Sequence, residues 1–371
     1  MTQLLTHRVS RLLEALPIHG LEAVILLPGP NMLYFTGLSF HLMGRPTLAV
    51  FTAEHPPLLL VGELERVKAE SCLLKPQVVT YGEDLASRQA AFRDVEARLG
   101  LSRRRVGVEP LRMRWMEEQS LMEAAPGIRL ASAEAALEPQ RAIKSEEELA
   151  SIERAVGIAE AALQATLPSI RAGVTEHELA SELTLQLMRA GSEPELPFSP
   201  IAAGGPNAAL PHAVPTDRRL REGEVLILDW GATVNGYISD LTRTFALGEV
   251  DSEWRRVHAL VAEANTAGRA AAGPGVACGA VDQAARSLIE AGGYGPAFLH
   301  RTGHGIGLEA HEPPYLRADN AAQLSHGMTF TVEPGIYLEG RGGVRVEDNV
   351  LVTRNGARTL SSLPRELVRL G

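Results

Sequence analysis

DWGATVNGYISDLTRTF, residues 229–245, holds two aspartates, Asp229 and Asp240, on either side of an Asn235-Gly236 pair. Asn-Gly is a strong signal for a two-residue hairpin turn. Two antiparallel strands joined at Val234-Asn235-Gly236 would set both carboxylates on one face, opposite each other. A single strand aspartate is ordinarily a turn cap or a surface charge. A pair beside Gly231, Gly236 and Tyr237 points to metal ligation instead, with Tyr237 as a supporting side chain.

Further along stand His304 in HRTGHGIGLEAHEPP, Glu333 in TVEPGIY and Glu347 in VRVEDNVLV. Four acids and one imidazole make a hard, mostly oxygen ligand set suited to Mn²⁺, Co²⁺ or Zn²⁺. Carboxylates at contact range raise one another's pKa, so four could not all stay ionised alone. Two divalent cations would cancel them, and such a pair is a hydrolytic centre. Glu333 ends an apolar run ahead of Pro334-Gly335, which predicts a buried strand where an unpartnered carboxylate is costly. Arg345 lies two residues before Glu347 and so on the same strand face. A plain buried Arg–Glu pair is the simple reading; we expect Arg345 to orient the carboxylates.

The glycines around His304 permit close backbone approach to a ligand. A phosphate-cradling loop would also use them, but it needs a lysine and a strand-to-helix setting that GHGIG lacks. His212, His300 and His311 accompany His304 in the motif region, and His300 also fits a structural role.

Composition sets the frame. The chain has 371 residues, 45% apolar and 22% charged, as in soluble globular proteins of about two domains. A net charge of −9 argues against nucleic acid or an anionic membrane as partner. Two cysteines outside any CxxC pair fit a reducing cytoplasm. The opening MTQLLTHRVSRLLEALP lacks a continuous apolar core, so no signal peptide is expected, and no stretch reaches the ~20 apolar residues of a membrane span.

The first part alternates helical patterns (His7–Leu16, Leu85–Leu99, Met113–Ala124) with β-rich runs at Leu21–Leu27, Leu48–Thr52, Leu58–Val61, Val78–Tyr81 and Val106–Glu109. That is an α/β layer domain. A boundary is expected near Glu138–Lys144, giving domains 1–138 and 139–371. Ser145 with Glu148, and Thr175 with Glu178, are capping boxes that open helices. Beyond them, strands at Val225–Asp229, Tyr237–Phe245, Thr329–Tyr337 and Val344–Val352 surround helices near Glu253–Ala272 and Val281–Ala291. The ligand-type residues thus fall on strands or strand ends, with His304 in a Gly-rich loop.

Taken together, DWGATVNGYISDLTRT, HRTGHGIGLEAHE, VEPGIY and RVEDNVLVT resemble the pita-bread metallopeptidases, in the branch of Xaa-Pro dipeptidases (prolidases) and aminopeptidase P. The resemblance spans the chain and implies an α/β plus α+β architecture: a creatinase-type N-terminal α/β domain followed by a pita-bread catalytic domain. It implies that Asp240 and Glu347 bridge two metals, that Asp229 completes one site, and that His304 and Glu333 complete the other. It assigns His212 and His311 to substrate and transition-state contacts and makes Glu333 the proton shuttle. The implied enzyme is a cytoplasmic hydrolase, commonly a homodimer, that attacks a small peptide with proline at the second position through a metal-bridging hydroxide.

A dipeptidase needs a cationic anchor for the nearby carboxylate, and an arginine fork suits it. Arg45, in SFHLMGRP, and Arg345 are the candidates. Arg45 is one of many arginines, and where some relatives carry a basic residue after HExP this chain has Tyr315. Aminopeptidase P, which leaves that side open for a longer peptide, is the alternative. A methionine aminopeptidase would not need the N-terminal domain, and a creatinase-like enzyme lacks the complete ligand set. A non-catalytic pita-bread binding module would have eroded ligands, and all five are present.

Overall fold

The computed structural model describes residues 2–371 and divides the chain into two compact units, Met1–Arg141 and Ala142–Gly371. The division falls three residues beyond the boundary expected from sequence, because the last helix of the first unit runs through Pro139 to Ala142.

The first unit consists of α1 (Thr2–Ile18), β1 (Ala23–Leu26), α2 (Pro30–Thr36), β2 (Leu48–Thr52), β3 (Leu58–Gly62), α3 (Arg66–Glu70), β4 (Gln77–Tyr81), α4 (Leu85–Leu99), β5 (Arg105–Val108), α5 (Trp115–Ala124), β6 (Arg129–Ser132) and α6 (Glu134–Ala142). Its sheet runs β4-β3-β2-β1-β5-β6 and is mixed: β2 is antiparallel to β1 and β3, and the remaining pairs are parallel. The strands β1, β2 and β3 are buried along their whole length, so they read as continuous apolar runs rather than alternating ones. In α1, Leu5, Val9, Leu12 and Leu16 recur at helical spacing and are buried.

The second unit opens with α7 (Glu146–Thr166) and α8 (Glu176–Ala190). Both carry the reciprocal capping boxes, Ser145 with Glu148 and Thr175 with Glu178. Next come β7 (Ile201–Gly204), β8 (Val225–Trp230), β9 (Thr233–Val234), β10 (Tyr237–Ile238), β11 (Leu241–Leu247), α9 (Ser252–Ala271), α10 (Cys278–Ala291), β12 (Gly303–Gly305), β13 (Glu312–Leu316), β14 (Thr329–Val332), β15 (Gly335–Leu338), β16 (Gly342–Arg345), β17 (Asp348–Thr353), β18 (Gly356–Thr359) and β19 (Val368–Leu370). The sheets are β19-β11-β8-β7, β13-β12-β14-β17-β18 and the ribbon β15-β16. Helices α7 and α8 bury Ala155, Ala159, Leu163, Leu179 and Leu183 among Leu226, Leu228 and Trp230. Val257, Val261 and Ala264 of α9 and Ala285 and Ile289 of α10 cluster with Ile336, Val344 and Val346.

Two sequence readings change at the site. The hairpin around Asn235-Gly236 exists, with φ of 53° and 77° at its two turn residues, but it is only the short pair β9–β10. The aspartates belong instead to the longer β8–β11 pairing, where Asp229 faces Thr242 and Asp240 precedes the strand. The runs 329–337 and 344–352 are likewise not continuous strands. Each breaks, at Glu333-Pro334 and at Val346-Glu347, so one long hairpin divides between two sheets. At the break Glu333 donates its N–H to the Thr302 carbonyl (2.8 Å) and Glu347 to that of Thr242 (3.1 Å).

Among the described residues, no helix is long and apolar enough to cross a membrane.

Gly231, in the crossing from β8 to β9, leaves no room for a side chain, since a Cβ would run into the Ser239 carbonyl and lie 2.8 Å from Pro197. We expect Gly231→Ala to cost about 2 kcal/mol through overpacking. Thermal unfolding should register it as a loss of about 4–8 °C in Tm.

Candidate metal centre

The breaks in the long hairpin carry chemistry. A carboxylate at the end of a strand, where the ladder changes partner, projects away from the apolar layers that hold the strand in place. Glu333 and Glu347 occupy the two kinks, and Asp229 and Asp240 approach from the β8–β11 pair. The isolated bridge between Thr242 and Glu347 ties the two groups of strands together. Asp240, His304 and Glu347 each present a ligand atom within 4.8 Å of the others. His304 Nε2 lies 3.7 Å from Asp240 and 3.1 Å from Glu333.

Four of the five side chains are buried and Glu333 is half-buried, and their electrostatics records it. Burial, then Glu347 and Asp229, push the Asp240 carboxyl well above its usual range. Burial, then Glu333 and Asp229, do the same to Glu347. Asp229 is raised mainly by burial, against the pull of Arg345. Glu333 goes the other way: burial opposes its charge, but the hydrogen bond and charge of His304 bring it down to about 2.

The site's donors leave two oxygens unserved. Arg345 Nη2 donates to Asp229 Oδ2 at 2.5 Å, and Thr242 Oγ1 donates to Glu347 Oε2 at 2.6 Å. Asp229 Oδ1 and Glu347 Oε1 are buried with no hydrogen-bond partner among the described residues. An orphaned buried carboxylate oxygen is costly unless something cationic meets it. The donor set therefore fits divalent metal ions: hard oxygens, one imidazole, and uncompensated charge.

Arg345 is 3% exposed and acts as a hub. Besides Asp229 it donates to Thr242 Oγ1 (3.1 Å), to the Tyr337 hydroxyl (2.8 Å) and to the Pro211 carbonyl (3.2 Å). Those bonds commit most of its N–H groups to protein. Tyr237, expected as a support, directs its hydroxyl to Glu148 of α7 at 2.5 Å. His311 packs its ring 4.1 Å from that of His304, and burial followed by the His304 charge lowers it to about 4. His212 is exposed, close enough for its charge to act on both His300 and His311. Arg45 belongs to the first unit, where its guanidinium forks onto Glu83 at 3.0 and 3.1 Å.

His304 lies in the short strand β12, not in a loop. Its flanking glycines make room for neighbouring backbone: a Cβ on Gly303 would strike the Thr331 carbonyl, and one on Gly305 would strike Glu312 and Pro313.

Four supports went unnoticed in the sequence. Thr242 links Arg345 to Glu347. Thr331 accepts the His304 N–H (3.2 Å) and donates to Glu333 (3.3 Å). Asn349 accepts the Asp240 N–H at 3.1 Å and donates to the Asp240 carbonyl. Tyr337 joins Arg345 to His300, whose Nε2 is 2.9 Å from the hydroxyl. Three of the four lie two residues from one of the acids (240/242, 331/333, 347/349), and that spacing was the available signal.

Comparison with known proteins agrees with the geometry. Residues 150–354 match metallopeptidase family M24, and residues 8–143 match the creatinase/prolidase N-terminal domain. An Xaa-Pro dipeptidase of Pyrococcus furiosus is 42% identical over 182 residues, 49% of this chain and 52% of that one. The crystal structure of a dipeptidase from Pyrococcus horikoshii OT3 superposes with a TM-score of 0.92 at 35% identity, covering 98% of this chain and all of that one. An X-Pro aminopeptidase from Thermotoga maritima superposes at 0.85 with 30% identity, covering 98% and 99%.

Two measurements probe the centre. Thr242→Val should keep the fold and weaken divalent-metal binding about 10–100-fold, as loss of a ligand's hydrogen-bond partner does; calorimetric titration with Mn²⁺ reads it. Carboxyls whose folded pKa is raised stabilise the protein below the ordinary carboxylate range of about 4 and lose that contribution as pH rises through the raised value. Three of the four acids shift this way. Metal-stripped protein should therefore melt lower at pH 8 than at pH 5, and added metal should remove most of the difference.

Proposed function

The chain belongs to metallopeptidase family M24 and is a peptidase, and on that premise we propose that it hydrolyses the Xaa-Pro bond of dipeptides. The observation that carries the reading is the pair of buried, unpartnered oxygens, Asp229 Oδ1 and Glu347 Oε1, within the cluster of acids. We assign Asp229, Asp240, His304, Glu333 and Glu347 to two divalent ions, for which Mn²⁺, Co²⁺ or Zn²⁺ all suit the donors. When bound, such a pair polarises the scissile carbonyl and lowers the pKa of water to near neutrality.

The protein's own groups do the rest. Arg345 and Thr242 hold the carboxylates of Asp229 and Glu347, and Asn349 holds the backbone of Asp240, so little reorganisation is left for the reaction. Glu333, ionised beside His304, accepts a proton from the attacking water as the carbon–oxygen bond forms. The prolyl nitrogen carries no hydrogen and departs as a secondary amine, so it must receive a proton when the carbon–nitrogen bond breaks. Glu333 returns it. His311, neutral against His304, and His212 at the exposed edge contact the substrate carbonyl and the departing residue.

The dipeptide preference draws on the relatives named dipeptidases. Release of one residue from longer Xaa-Pro peptides is the second reading, favoured by the occupation of Arg45 by Glu83. With Mn²⁺ present, Ala-Pro should be cleaved faster than Ala-Ala and faster than Ala-Pro-Ala. Preference for Ala-Ala would remove the prolyl assignment, and faster turnover of the tripeptide would select the aminopeptidase. Glu333→Ala and Asp240→Ala should each lower kcat by at least about 10²–10⁴-fold with the circular dichroism spectrum unchanged.

A further inference from the structure

A cleft of about 900 Å³ opens between α9 and the C-terminal segment Ser362–Arg369 and includes none of the residues assigned to metal or substrate. Its apolar walls come from Val250, Ala259, Leu363 and Leu367. Behind it lies Asp348, fully buried, 2.9 Å from Arg243, 2.7 Å from Arg365 and 3.5 Å from Arg269. One carboxylate does not neutralise three guanidiniums. Burial first, and then repulsion from Arg365 and Arg243, lower the Arg269 pKa. Glu249 on the cleft wall also carries two arginines, Arg255 and Arg369. The other lining acids, Glu263 and Glu366, are exposed.

His258 points the same way. It lines the cleft at 3% exposure, and among the described residues its ring has no hydrogen-bond partner. A ring so placed is free to meet a ligand or bound water in the cleft. Arg365 spends Nε and Nη2 on Asp348 and on the Ser361 carbonyl, which leaves Nη1 for a ligand.

We propose that this cleft is a second binding site, for a small organic anion whose carboxylate or phosphate head meets Arg365, Arg269 and His258 and whose apolar body lies along Val250, Ala259 and Leu367. The size and the mix of apolar wall with a few convergent polar groups are those of ligand sites in general. The inference is independent of the peptidase reaction.

Isothermal titration of the metal-loaded protein with hexanoate and with butyl phosphate, at ionic strength fixed by chloride, tests it. At least one probe should bind saturably at one site, and the tighter probe identifies the head group. Arg365→Gln should weaken that binding about tenfold or more, the worth of a charge-assisted contact. Ala262→Glu, which places a carboxylate in the cleft without touching the Asp348 cluster, should do the same if Arg365→Gln fails to fold. No saturable binding of either probe overturns the proposal. Equal affinity in wild type and Ala262→Glu also overturns it, because that is what binding at the metal centre would produce.

Discussion

The catalytic unit is organised around an imbalance of charge. Buried Asp229, Asp240 and Glu347 lie with half-buried Glu333 beside His304, and Arg345 contributes a single firmly held positive charge. Burial strengthens the repulsion among the carboxylates, and three of them are driven toward the protonated state. A stable protein tolerates such a cluster only if cations complete it or if surrounding structure over-determines it. Here the second requirement is visible. Layers of Val, Ile and Leu on α9, α10 and the strands hold the ladder rigid on either side of each acid.

That rigidity explains where the two glutamates sit. A continuous strand would spend the backbone of Glu333 and Glu347 on its own ladder. The break between β14 and β15, matched by the one between β16 and β17, hands those N–H groups to Thr302 and Thr242 instead. Two sheets are thereby stitched at the two glutamates. Thr242 is the joint: its carbonyl accepts from Glu347, its hydroxyl donates to the same carboxylate, and Arg345 reaches it from the other side. Asn349 does the equivalent for the backbone of Asp240. Side chains held by two or more such contacts lose little entropy on meeting a ligand, which is the condition for precise catalysis.

The same strand segment serves two surfaces. Glu347 faces the acid cluster, and its neighbour Asp348 anchors three arginines beside the cleft against α9. Alternation along a strand puts successive side chains on opposite faces. Adjacent residues thus answer to opposite charges, an excess of acid on one side and of arginine on the other.

Local signals carried a large part of this architecture. The capping boxes at Ser145 and Thr175 marked helix starts because a hydroxyl three residues ahead of a glutamate satisfies exposed N–H groups whatever lies around it. Leu48–Thr52 and Leu85–Leu99 were legible from apolar run and periodicity. The five acid and imidazole positions stood out because few other uses exist for those residue types beside glycine and proline in that order. What the chain's order of residues left open was the pairing. Asn235-Gly236 specified a turn but not how far its strands extend, and the glycines beside His304 announced close approach without saying to what. Strand breaks at Glu333 and Glu347, and the supports Thr242, Thr331, Tyr337 and Asn349, arise from contacts between segments up to about a hundred residues apart. Residue types therefore determined which chemistry this protein is equipped for. Tertiary structure decided which side chains meet, because a hydrogen bond or a shared charge depends on distance in space and leaves no local period in the sequence.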